Sequence, residues 1–158
     1  MVNLLVGRVV EGRPLREQID LARGVVREAA DEVGRLGARI VIEHLNDRDV
    51  DGPLIATPQA AAAFVRQVAH EGVTVLFDAY HAARAGLDPL AEVGAVGPLI
   101  GHAQFADHPG RGAPGTGDLD LDAFVTRLDE VGYSGHVGLE FVPDGPTATV
   151  LERLAIHR

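Results

Sequence analysis

The chain has 158 residues, 46% hydrophobic and 23% charged, with a net charge of −9. That length and balance suit one globular domain with a real core, and the acidic excess argues against a nucleic-acid surface, which needs clustered Lys and Arg. Cysteine is absent, which excludes disulfides and thiolate chemistry, and no apolar run reaches the ~18 residues of a membrane span.

The first stretch, "MVNLLVGRVVEGRP", is apolar without a basic leader region or a small-residue cleavage site. It reads as a strand over 2–7 and not as a signal peptide, so a cytoplasmic location is expected. A helix follows Pro14, placed as an N1 proline. Leu15, Ile19, Ala22, Val26, Ala29, Val33 and Leu36 recur on one face, and Gly37 stands where a C′ glycine would. A second helix opens at Thr57-Pro58 and stops at Gly72, and a short helical piece covers 87–94. A third good helix covers 119–132, with Leu121, Phe124, Val125 and Leu128 inward. "TATVLERLAIHR" closes the chain as a helix. Strands are expected at 2–7, 39–43, 73–78, 99–105 and 136–141. They are nearly continuous apolar runs, as strands of a covered parallel sheet are. The fold class is therefore α/β, built of five consecutive right-handed βα units.

Four of these strands end on a polar group: Glu43, Asp78, Gln104 and Glu140, separated by 35, 26 and 36 residues. One strand-end carboxylate is an ordinary helix cap or solvated edge. Four on successive parallel strands meet at one C-terminal rim, where ligands bind in such folds. Three carboxylates and one amide oxygen make an oxygen-rich site, and three close carboxylates repel one another unless a cation joins them. Hard oxygen donors favour magnesium or manganese over zinc.

Other polar groups lie nearby. His81, just past Asp78, is placed to hydrogen-bond a carbonyl or hydroxyl or to ligate a metal. Asn46 and Asp49, in the loop after Glu43, are placed to reach a polar substrate. Arg111 lies in the glycine-rich loop "HPGRGAPGTGDLD", which is neither a P-loop nor a dinucleotide turn, and suits a carboxylate or polyol. His44, His102, His136 and His157 read as structural or surface residues; His102 shares a strand face with Gln104 but lies deeper.

The stretches "VIEHLNDRD", "FDAYH", "GHAQFADHPGRGAPGTGDLD" and "GYSGHVGLEF" together resemble the hydroxypyruvate isomerase family, within the xylose isomerase-like TIM barrels. The family usually carries proline where this chain has His44. The resemblance implies an eight-stranded barrel with a divalent metal, Mg2+ or Mn2+, on Glu43, Asp78, Gln104 and Glu140. Glu43 and Glu140 would exchange protons with substrate, and His81 and Arg111 would contact it. The implied reaction converts hydroxypyruvate to tartronate semialdehyde.

Complete barrels of this kind need about 250 residues. The chain matches units four to eight, a partial TIM barrel over 1–158 with the first three units absent. Two open edges are then expected, and with them a homo-oligomer or a partner chain supplying the missing units. Three alternatives stay open: a sugar epimerase or 2-oxo-acid isomerase of the same superfamily, a zinc-dependent DNA-repair nuclease, and an inactive half-barrel acting only in binding or assembly. The charge of −9 and the Gln at 104 oppose the nuclease.

Overall fold

A computed structural model describes residues 1–154. Strands β1 (Val2–Asn3), β2 (Ile40–Glu43), β3 (Val73–Asp78), β4 (Ile100–Phe105) and β5 (Val137–Leu139) pair in parallel and in chain order. Between and after them run α1 (Leu15–Arg35), α2 (Pro58–Val68), α3 (Ala79–Arg84), α4 (Pro89–Val96), α5 (Leu121–Glu130) and α6 (Thr147–Arg153). Sequential strand order without reversal gives an arc of a βα barrel, an incomplete TIM barrel, and not a doubly wound sheet with a switch point. Among the described residues no helix is long and apolar enough to cross a membrane.

Most expected elements form, and the differences have local causes. β1 holds only two residues of the expected 2–7. Past it, Gly7 turns at φ +101°, and the chain pairs antiparallel with the β2–α2 loop (Val9 N to Gly52 O, 2.7 Å; Leu54 N to Gly7 O, 3.0 Å). Pro14 is the N-cap of α1, not its first residue, while Gly37 closes that helix at φ +71°. α2 stops at Ala69, in the left-handed region at φ 52°, before reaching Gly72. α3 was not expected. Asp78 itself caps it, its Oδ1 accepting the His81 N–H at 2.9 Å, so His81 sits on a helix turn and not in a loop. The closing helix is described to Arg153, and His157 lies outside the described residues.

The pleat sends alternate side chains to opposite faces. Ile40, Ile42, Val73, Val75, Phe77, Ala103 and Phe105 face the helices, where Phe77 and Phe105 both pack on Phe124 of α5 (ring centroids 5.9 and 5.7 Å). The inner face carries Val41 and Leu76, both buried, and ends on Glu43 and Asp78. A bulge tunes this register. Val75 faces Ile100, but Leu76 faces His102, so Gly101 is the extra residue and Asp78 comes opposite Gln104. Only glycine fits there, since a Cβ at 101 would stand 2.0 Å from Thr74 Oγ1.

The arc leaves apolar surface uncovered. Helix α1 buries Val26 and Ala30, yet Leu21 and Val25 are 65% and 53% exposed, and Leu15 and Leu36, expected inward, are also exposed. Leu5, Val10, Leu21 and Val25 help line an open groove beside β1.

Candidate metal centre

Glu43 and Asp78 end adjacent strands, and the turn of α3 after Asp78 swings His81 beside them. One donor atom from each of the three lies within 4.8 Å of the other two, and all three side chains are buried. Gln104, on the strand beyond Asp78, adds an amide. Two oxygens here, Asp78 Oδ2 and Gln104 Oε1, are buried with no hydrogen-bond partner in the protein. Orphaned buried acceptors carry a desolvation cost that a cation offsets, so these residues fit a divalent ion held by hard oxygens.

Electrostatics agree with that fit. Burial pushes the Glu43 carboxyl up to about 7, against an opposing hydrogen bond from Asn3. Burial likewise raises Asp78 above the usual carboxylate range. Asn3 Nδ2 donates to Glu43 Oε2 at 2.6 Å, which leaves Oε1 for the centre. The sequence reading missed Asn3 because Leu4, Leu5 and Val6 continue the apolar run beyond it. It is a polar strand end like the other four.

His81 brings a ring nitrogen to this site, and its tautomer suits donating a hydrogen bond. Its Nδ1 accepts the backbone N–H of Asn46 at 3.1 Å. A backbone N–H cannot be an acceptor, so the neutral ring carries its proton on Nε2, 3.8 Å from Glu43 Oε1. Burial and the nearby Arg111 lower the His81 pKa to about 4, so the neutral ring prevails near pH 7.

Asn46 and Asp49, expected to reach substrate, are engaged behind the site. Asn46 is fully buried; its Nδ2 lies 2.7 Å from His81 Nδ1 and its Oδ1 accepts the N–H groups of Arg48 and Asp49. Asp49 accepts from Tyr80 Oη at 2.6 Å and Arg84 Nε at 2.9 Å, which together hold its pKa down to about 2. Both residues are tied to α3. His44 is fully buried, edge-on to Phe77. Burial and His81 drop its pKa to about 3, and its Nε2 accepts the Asp78 N–H at 3.4 Å.

Glu140 stands apart from the buried cluster. It follows β5, its N–H donating to Phe105 O at 3.1 Å, and its side chain is 50% exposed. Arg111 holds it, Nη2 to Oε2 at 3.2 Å and Nε to the backbone oxygen at 3.4 Å. The Arg111 guanidinium also lies 5.3 Å from the centroid of the Tyr80 ring.

The loop carrying Arg111 is organised by Asp107. Its Oδ1 accepts the N–H groups of His108 and Leu119, and its Oδ2 those of Gly115 and Gly117, at 2.8–2.9 Å. It is a buried hub for the loop and not a fifth donor. Asp107→Ala would leave four loop donors without this acceptor, an expected loss of roughly 3 kcal/mol or more. Urea unfolding checks this; a variant within 1 kcal/mol of the parent contradicts it.

Residues 1–156 match the xylose isomerase-like TIM barrel family across nearly the whole chain. The chain belongs to that family. Within the xylose isomerase-like barrels it is 40% identical, over 93% of its length, to a Streptomyces coelicolor protein named "Putative hydroxypyruvate isomerase", of which it spans 54%. It is 27% identical to the hydroxypyruvate isomerase of Escherichia coli, over 99% of this chain and 61% of that protein. A crystal structure titled AP endonuclease, family 2, from Brucella melitensis superposes with a TM-score of 0.90 at 29% identity, covering 99% of this chain and 60% of that one. The chain thus spans little more than half the length of the relatives it matches.

Proposed function

We propose that this chain carries the cation-binding part of an isomerase acting on short 2-oxo acids, interconverting hydroxypyruvate and tartronate semialdehyde. Glu43, Asp78, Gln104 and Glu140 would hold Mg2+ or Mn2+. The observation that carries this reading is the pair of buried, unpartnered oxygens, Asp78 Oδ2 and Gln104 Oε1, on neighbouring strand ends beside Glu43. The relatives' names support the choice of substrate.

A bound divalent cation supplies Lewis acidity toward the carbonyl and hydroxyl oxygens. The residues do the rest. One glutamate of the Glu43–Glu140 pair removes a proton from the hydroxymethyl carbon, and the other returns one to the former carbonyl carbon. The hydroxyl proton crosses to the old carbonyl oxygen beside the His81 Nε2–H, which donates to it. Arg111 offers paired N–H groups to the substrate carboxylate.

The test joins manganese calorimetry with NMR of hydroxypyruvate in deuterated buffer. Saturable Mn2+ binding and deuterium entering the substrate are expected. Absence of both defeats the proposal, and binding without exchange favours a half-barrel that only binds or assembles.

The exposed face of α1 and the free edges of β1 and β5 also point to association, either with a second copy or with a chain bringing further βα units. Light scattering at micromolar concentration is expected to give more than the monomer mass. A clean monomer removes self-association.

A further inference from the structure

We propose that Arg111 is a built-in counter-ion that holds Glu140 away from the cation site and is released to a substrate carboxylate only when the cation takes Glu140. Cation and acid then bind in a fixed order. The inference rests on reading the centre as a cation-dependent isomerase site for short 2-oxo acids, and it adds the regulation of that site.

The backbone of Arg111 is fixed by its own loop. Its φ is +53°, a conformation non-glycine residues rarely adopt, and its carbonyl accepts the Val142 N–H at 2.7 Å. The loop around it is tied to the buried Asp107. From that fixed point the guanidinium meets Glu140 twice, through the side chain and the backbone oxygen, with Tyr80 beneath it. The donors of the buried cluster are Glu43, Asp78 and His81; Glu140 is not among them.

A cation and a guanidinium cannot both use Glu140 Oε2 fully. Entry of the cation frees an arginine whose charge then lacks a partner at the mouth of the site, and a carboxylate fits the vacated fork. Such coupling is reciprocal, so a bound carboxylate also tightens the cation.

The experiment titrates MnCl2 into the full chain by calorimetry in four forms: parent, Arg111→Met, Glu140→Gln and the double variant. Arg111→Met is expected to tighten Mn2+ at least fivefold in the parent and less than twofold in the Glu140→Gln background. An equal gain in both backgrounds means that the guanidinium acts only through its general field, and it overturns the proposal. So does no gain at all. Should Arg111→Met fail to fold, Arg111→Lys is read with the same two outcomes. As a second readout, tartronate should bind the parent only with Mn2+ present, and binding of equal strength without Mn2+ also overturns the order. If none of the four forms binds Mn2+, the cation reading itself falls, a result distinct from binding with uniform gains.

Discussion

Glu140→Gln is expected to slow deuterium entry into hydroxypyruvate by roughly 10²–10⁴-fold, the usual worth of a positioned acid–base group. Manganese binding should weaken only modestly. The amide keeps an oxygen donor at the end of β5, and Glu43, Asp78 and Gln104 are untouched. What the substitution removes is the ability to hold and release a proton at half-exposed Glu140, the proposed partner of buried Glu43. Calorimetry and exchange on the same preparation separate the two effects. Turnover near that of the parent would strike Glu140 from its role, whereas a joint loss of binding and exchange would assign it to the cation alone.

The second large effect is a pH-dependent stability difference between the parent and Glu43→Gln, measured in chelator. Glu43 titrates near 7 when folded, against an ordinary 4.5. Between those values the folded chain keeps a proton that the unfolded chain has lost. Stability from this group is therefore complete below pH 4.5 and falls as pH rises toward 7. Glutamine carries no charge at any pH and its oxygen can still accept from Asn3. The variant should match the parent near pH 4 and exceed it by about 3 kcal/mol above pH 7, at ~1.4 kcal/mol for each pH unit of separation.

The difference is the quantity to read, because buried histidines act in the opposite sense in the parent. His44 and His81, held to about 3 and 4, lose stability as pH falls below their ordinary 6.5. Added Mn2+ should restore the parent at pH 8 more than the variant. Urea midpoints that run parallel from pH 4 to 8 would show that Glu43 is solvated and not buried.

Much of the placement of the candidate site is legible because two simple patterns carry it. Continuous apolar runs ending on Glu43 and Asp78 mark covered parallel strands, and chain order then places those ends side by side. The rest depends on information the alternation does not contain. Asn3 is followed by more apolar residues, and what ends β1 there is an antiparallel contact with residues 52–54, nearly fifty positions away. His81 was visible as a polar neighbour of Asp78. Its proton position follows from an Asn46 N–H that only the folded loop delivers. Asn46 and Asp49 look free in the sequence, and their partners Tyr80, His81 and Arg84 all come from an unforeseen helix. Glu140 illustrates the converse: its strand end was foreseen, but its pairing with Arg111 is a matter of loop shape.

Gly101 gives the strand beneath Gln104 a property that ordinary strands lack. With one surplus residue already accommodated between Ile100 and His102, the amide two places after His102 reaches the inner face by parity and not by length. A one-residue insertion or deletion in the segment below His102 has a slack point at which to be absorbed. The same change between His102 and Gln104 would turn the amide outward and present Ala103 or Phe105 in its stead. A transplant of β4 must therefore preserve the even step from histidine to glutamine.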